Sequence, residues 1–269
     1  MTDVGAHMNS LLSLAEKYQV EGVKPFVLHL LERDWPPTLA EWLRGESELS
    51  RLTELWTAGC ADLSAACPDD LYPIDPATAV DIGLAYSMPS ILPAAFYALS
   101  SINLQDDWYR WNTNEKWNYV ESEDSRATDP KKYWRRTARW SWLDKDQLMK
   151  VLLGKQALQA RQAVLGRVYR VVNPADTGKA KQRCVDELSR LETEYTVGSA
   201  ANPHKPLQVL VKMLMTLKYN RTLCKGCRDL VRANINKEME KLWTDLPQMF
   251  SLHQAGEGTY ADITSSGLR

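Results

Sequence analysis

Cys224-Lys225-Gly226-Cys227 is the tightest grouping of metal- or redox-competent side chains in this 269-residue sequence. Two thiolates two residues apart reach one zinc ion, Gly226 permits the tight turn between them, and Cys184 and His204 supply the remaining corners of a tetrahedron. Three readings stand side by side. In the first, Cys184, His204, Cys224 and Cys227 hold a structural zinc. In the second the pair is a redox dithiol, because a helix N-terminus lowers a thiol's pKa; no strand-helix-strand context of the thioredoxin type surrounds it, which counts against this reading. In the third there is no cofactor. Cys184 is then a small core residue on a helix face, and Cys224 and Cys227 are ordinary buried thiols opening a helix.

A second concentration runs from Lys131 to Trp142, KKYWRRTARWSW. Its Lys131, Lys132, Trp134, Arg135, Arg136, Arg139 and Trp140 combine cations with aromatic rings, a mixture that grips phosphates and stacks bases. It equally makes a peptide-binding surface, where Trp and Arg carry much of the binding energy, or a solvated loop whose tryptophans dock under Arg stems. Glu121, Glu123, Asp124 and Asp129 lie just upstream and neutralise the patch, and the whole chain carries a net charge of −1. Both facts argue against nucleic acid and for a protein partner.

Catalysis finds no foothold. His7, His29, His204 and His253 are scattered, no nucleophile elbow or phosphate-cradling glycine loop occurs, and Glu192 and Glu194 fall on different faces of a helix. The expectation is a protein that is not an enzyme. Five cysteines and an N-terminus without a basic-then-apolar leader place it in the cytoplasm or nucleus. Ile82 to Gln105 is uncharged for 24 residues, long enough to cross a bilayer. It also contains Gly83, Pro89, Pro93, four serines and Asn103, which suit two short buried helices joined by a turn, so no membrane association is expected.

The elements that position these residues are read from periodicity. Tyr18-Gln19-Val20-Glu21-Gly22-Val23-Lys24-Pro25 is answered 68 residues later by Tyr86-Ser87-Met88-Pro89-Ser90-Ile91-Leu92-Pro93. Leu14 matches Ile82, Leu28 matches Phe96 and Leu31 matches Leu99, so one helix-turn-helix unit occurs twice. Thr38 with Glu41 makes a capping box for a short helix, and another follows over 46–58. Asp75-Pro76 opens the second copy as an N-cap followed by a first-turn proline. From 106 to 142 periodicity fails, giving a long irregular insertion. A helix approaching 30 residues then starts at Asp144, with Leu148, Val151, Leu152, Leu158, Leu165, Val168, Tyr169 and Val172 on one face, stopped by Asn173-Pro174. Further helices are expected over 179–195, 207–219 and 224–246, and a disordered C-terminal tail over 253–269. The fold class is all-α, built of stacked helical hairpins, with a hairpin at 1–35, linker helices at 36–74 and a helical domain at 75–252.

The segment LLSLAEKYQVEGVKPFVLHLL resembles the last helical hairpin of a BTB/POZ domain, and AVDIGLAYSMPSILPAAFYALSSI resembles the first hairpin of the BACK extension that follows such domains. MKVLLGKQALQA and CKGCRDLVRANINKEMEKLWTDLPQMFSL are similar to the C-terminal half of fungal BTB-domain proteins. The resemblance implies a BACK-like fold and a non-enzymatic adaptor or scaffold, on the substrate side of a ubiquitin ligase or in transcriptional control. Only Met1 to Ser10 precede the first hairpin, so the chain is expected to be the C-terminal part of such a protein. Oligomerisation through a BTB core is not expected. The orphaned hairpin is expected to fold onto the second copy, because leaving its Leu and Val side chains in water costs several kcal/mol at about 25 cal/mol per Å².

Overall fold

The structure is a computed structural model that describes residues 4–59, 74–107, 137–170, 179–198 and 205–252. Nine α-helices lie among the described residues: α1 Val4–Lys17, α2 Val23–Asp34, α3 Leu39–Gly59, α4 Pro76–Ala85, α5 Leu92–Ser101, α6 Lys145–Gln162, α7 Lys179–Gly198, α8 Pro206–Tyr219 and α9 Lys225–Met249. Two 3-10 turns, Trp140–Trp142 and Leu165–Tyr169, flank α6. The only β pairing among them is an isolated bridge between Asp107 and Ala138. The class is all-α, and no described helix is long and apolar enough to cross a membrane.

The repeat is structural down to individual hydrogen bonds. α1 ends with Tyr18 N–H donating to Leu14 O, Gln19 N–H to Glu16 O and Val20 N–H to Ala15 O; α4 ends with Tyr86 to Ile82, Ser87 to Leu84 and Met88 to Gly83. Every partner is shifted by 68. Gln19 and Ser87 sit at φ 53° and 54°, the left-handed position that closes a helix by folding the next N–H back onto an orphan carbonyl. A third copy ends α9, where Phe250, Ser251 and Leu252 donate to Leu246, Gln248 and Pro247, with Ser251 at φ 52°.

The two hairpins nevertheless differ in burial. Among the described side chains of α1, from His7 on, only the stripe Met8, Leu12 and Ala15 is buried, whereas Ala77, Ala79, Val80 and Ile82 of α4 are all buried, as is α5 from Ala94 through Ser100. Leu14 is half exposed where its counterpart Ile82 is fully covered. A helix buried on every side is apolar on every side, and α4–α5 is therefore the centre of the stack while α1–α2 is its edge. α1 packs against α2 and α4, Asn9 Nδ2 donates to Asp81 Oδ2 at 2.8 Å, and Lys24 Nζ lies 5.1 Å from the Tyr86 ring centroid. The first hairpin thus folds onto the second.

Asp75 starts the second copy. Its Oδ2 accepts from the N–H and hydroxyl of Thr78, at 2.8 and 2.9 Å, and its Oδ1 accepts from the N–H of Arg139 at 3.1 Å. Burial, the largest influence, lifts its carboxyl above the ordinary range against the pull of these donors. The expected insertion falls mostly on 108–136, outside the described residues; its described ends are brought together where Ala138 N–H donates to Asp106 O at 3.2 Å. The expected tail, 253–269, and Asn173-Pro174 also lie outside the described residues.

Two expected elements differ. α3 is one helix of 21 residues rather than two, opened by the Thr38–Glu41 box (Glu41 N–H to Thr38 Oγ1, 3.3 Å), and Gly45 is carried in its exposed middle. α6 ends at Gln162, short of Val172. Its buried stripe is Gln147, Val151, Gly154, Leu158 and Gln162, so Leu152, one residue off that line, is exposed. Beyond Gln162 the chain tightens into a 3-10 turn that buries Leu165, Val168 and Tyr169 against α7. Gly166 permits this close approach, since a Cβ there would collide with Thr196 Oγ1.

Gly154 and Gly45 make opposite predictions from the same substitution. A Cβ on Gly154 would overlap the Phe250 ring, which is fully buried, whereas one on Gly45 meets nothing within 4 Å. Gly154→Ala is therefore expected to displace Phe250 and lower stability by roughly 1–3 kcal/mol despite alanine's better helix propensity. Gly45→Ala is expected to raise it by about 0.5–1 kcal/mol. Urea unfolding of the two variants checks both signs.

Candidate metal centre

The cysteines come together because two helices and one turn are tied to each other. α7 buries Cys184, Leu188, Leu191 and Tyr195 on one stripe. At the end of α8, Asn220 Oδ1 accepts from the N–H groups of Thr222 (2.9 Å) and Leu223 (3.1 Å), a side-chain-closed turn that reverses the chain into α9. Asn220 Nδ2 donates to Glu187 Oε1 at 2.6 Å, and Arg190 grips the same carboxylate at 2.8 Å. The turn is thereby fixed one helical turn beyond Cys184 on α7. Leu223, 2% exposed, fills the gap beneath it.

Cys224 is the N-cap of α9, and its sulfur accepts from the Cys227 N–H at 3.5 Å. The Cys224 N–H donates in turn to Cys184 Sγ at 3.3 Å. The three sulfurs lie within 4.8 Å of one another, with Cys184 and Cys227 buried and Cys224 exposed. All three are free thiols. Sulfurs around one zinc ion at about 2.3 Å stand about 3.8 Å apart, so the trio is within about 1 Å of a ligating arrangement.

The thiols are electrostatically unequal. The Cys227 backbone N–H, then the Cys227 thiol, hold Cys224 below the usual thiol range, whereas burial, then the neighbouring sulfurs, pushes Cys227 well above it. A cation shared by the three sulfurs would take them as thiolates, their protons passing to solvent. Among the described residues, no His, Asp or Glu joins the three sulfurs at ligating distance. His204, the expected fourth ligand, lies outside the described residues.

The basic-aromatic tract divides differently. Lys131, Lys132, Trp134, Arg135 and Arg136 lie outside the described residues. Arg139 and Trp140, expected at a contact surface, are buried at 1% and 9% exposure. The Arg139 guanidinium stacks 4.7 Å over the Trp142 ring, and Lys155 Nζ sits 5.7 Å from the Trp140 ring while donating to Ile102 O at 3.1 Å. Burial pushes Lys155 below its ordinary pKa. These residues brace α4, α5 and α6.

No protein-family model, curated protein or solved structure matches the chain. Sequence reasoning found the three cysteines but passed over Asn220 and Glu187, which set their separation. The signal was present, since Asn220 followed by Arg-Thr-Leu before the next helix is a side-chain-closed turn in outline.

Exposure and charge together predict selective chemistry. At pH 7.5 a limiting amount of iodoacetamide is expected to modify Cys224 well ahead of Cys184 and Cys227, because the thiolate is the nucleophile and only Cys224 meets solvent. Its rate is expected to rise with pH at lower values than that of a free cysteine, reflecting the lowered pKa. Peptide mapping by mass spectrometry across pH 6 to 9 checks both.

Proposed function

We propose that the chain is a non-enzymatic protein-interaction module whose first hairpin carries the docking face. The supporting observation is the apolar surface that α1 and α2 leave uncovered. Leu11, Leu14 and Tyr18 follow one another at spacings of three and four on the outer face of α1, exposed by 48%, 50% and 65%. Val20 in the turn and Phe26 on α2, 62% exposed, add to it. A shallow depression of about 330 Å³ lies at the same turn, lined by residues that include Ala15, Gln19, Val20 and Pro25. Large apolar side chains also stand in water elsewhere, among them Leu104, Leu152 and Tyr219, but on the first hairpin they run together along one helix face and into the adjoining turn, as a contact surface does.

The sequence resemblance gives this face a plausible history. In BTB proteins the matching hairpin rests on a sheet-and-helix core, and α1–α2 would present the corresponding side to a core or to another protein. On this reading the chain serves as an adaptor or scaffold, on the substrate side of a ubiquitin ligase or in transcriptional control. Leu14→Arg with Phe26→Arg is expected to leave stability within about 0.5 kcal/mol, since both side chains are exposed, and to remove the protein partners recovered by affinity capture from the source cells. Capture of the same partners by wild type and variant would exclude the hairpin as the docking face. Recovery of no stable partner by wild type would exclude the adaptor role.

A second reading concerns the cysteine cluster and is favoured by its three converging sulfurs. Here Cys184, Cys224 and Cys227 hold a structural zinc, the sequence supplying His204 for the fourth position, and the ion staples the start of α9 to α7. This zinc role stands apart from the nucleic-acid contact that segment 131–142 suggested, two of whose residues, Arg139 and Trp140, are buried. Protein purified under reducing conditions is expected to carry about one zinc per chain by elemental analysis and to lose it in Cys227→Ser. Metal-free wild-type protein that takes up no added zinc would overturn the reading.

A further inference from the structure

Three sulfurs that could serve one ion are placed unequally toward solvent. Cys184 is 1% and Cys227 7% exposed, and Cys224 stands at the surface as the N-cap of α9. A diffusible oxidant meets Cys224 first. The cap hydrogen bond from the Cys227 N–H then holds the Cys224 sulfur over the first turn of α9, where the Cys227 side chain begins. Residues three apart on a helix have Cα atoms about 5 Å apart, inside the roughly 4.4–6.8 Å window a disulfide requires. The two sulfurs already lie within 4.8 Å of each other, so a small side-chain rotation brings them into contact.

We infer that the cluster is a peroxide-responsive site, in which oxidation joins Cys224 to Cys227 and thereby removes two of the three thiolates available to a metal ion. The inference rests on the zinc reading for its release step, and on the cysteine geometry alone for its chemistry. Cys224 thiolate attacks one oxygen of hydrogen peroxide; the O–O bond breaks, and the departing hydroxide takes up a proton as water. Cys224 is left as a sulfenic acid. The Cys227 sulfur attacks the Cys224 sulfur, the S–O bond breaks, and the departing hydroxide leaves as a second water with the proton Cys227 gives up. Two thiols have lost two electrons, and peroxide has gained them. Cys184, which lies across the helix interface on α7, stays a thiol, and one sulfur does not retain a zinc ion. A thiol reductant returns both electrons and restores the three-sulfur site.

The test uses the full reduced chain with its zinc, treated with hydrogen peroxide in the presence of a chromophoric zinc chelator. Zinc is expected to appear in the chelator in step with a Cys224–Cys227 disulfide, identified by peptide mapping that separates it from Cys60 and Cys67. Dithiothreitol with added zinc is expected to reverse both changes. Cys227→Ser is expected to stop at a sulfenic acid on Cys224 that dimedone traps, and Cys184→Ser to form the disulfide still. Retention of zinc with all three thiols reduced, or release accompanied by a disulfide to Cys184 instead, would overturn the inference. A reduced chain that binds no zinc while forming the Cys224–Cys227 disulfide would overturn the zinc reading and the release step together, leaving a dithiol pair.

Discussion

The structure depends on covering α5. Ten residues long, this helix has Ala94, Phe96, Ala98, Leu99 and Ser100 all buried, with Tyr97 fully enclosed between them. A helix without a wet side has to be wrapped, and α4, α6 and α9 all pack on it. Ala94, Ala95 and Ala98 are small, so these neighbours come close without cavities, which would each cost on the order of 1 kcal/mol or more. Phe96 stacks on Phe250 with ring centroids 5.5 Å apart, and the same Phe250 ring covers Gly154 of α6. α5, α6 and the end of α9 are therefore one packing problem with one solution.

Tyr97 extends that wrapping to two more helices by using its polar end. Its ring meets Trp42 of α3 edge-on, with centroids 5.5 Å apart, and its hydroxyl donates to Gln208 Oε1 at 2.6 Å while accepting from the Leu207 N–H at 3.1 Å. Leu207 lies in the first turn of α8, where N–H groups have no partner within the helix. A buried hydroxyl thus satisfies an orphan donor and is itself satisfied, which is the condition under which burying it costs little. Farther from α5 the wrapping thins. At one side α1–α2 has a second face that no other described residue covers; at the other the chain closes the α7–α9 corner with a polar turn and three cysteines.

What was legible in the sequence followed from local chemistry. Asp75-Pro76 announced a helix start because both residues act on their own first turn, and the Tyr18/Tyr86 echo announced a repeated helix-turn-helix unit because the residues that end the first helix, left-handed residue included, are sequence neighbours. The third terminator was equally local. Phe250-Ser251-Leu252 has the same aromatic-polar-apolar order as Tyr18-Gln19-Val20 and Tyr86-Ser87-Met88. What was not legible depended on partners distant in the chain. Gly154 reads as a weak point in a helix until the Phe250 ring, nearly a hundred residues on, is placed against it, and α6 reads as longer until Gly166 meets Thr196 of α7. For the candidate site the spacing of Cys224 and Cys227 was local, whereas the arrival of Cys184 required the Asn220–Glu187 link. Arg139 and Trp140 are buried for the same reason, since a charge beside tryptophans looks solvated until the Asp75 carboxylate ties down the Arg139 backbone N–H and the guanidinium stacks on Trp142.

α9 connects the two ends of this arrangement and explains why they are separable. It runs 25 residues from Lys225 to Met249, about 37 Å at 1.5 Å per residue. Its single stripe of Cys227, Val231, Ile235, Met239, Leu242 and Leu246 is buried throughout. Near its far end Trp243 donates to Pro37 O at 2.9 Å and packs on Trp42, fixing it to the segment that leaves α2. The cysteine corner therefore lies at one end of a rod whose other end abuts the base of the first hairpin. Sites that distant, with no shared partner, contribute additively, and a rod whose stripe is anchored along its whole length does not transmit a change in its cap as a rigid displacement. A change of state at Cys224 is consequently a local event, felt in the α7–α9 junction and its Asn220 turn. The apolar face of α1–α2 is expected to keep its shape whichever state the thiols are in, so the two proposed roles are separable on one core.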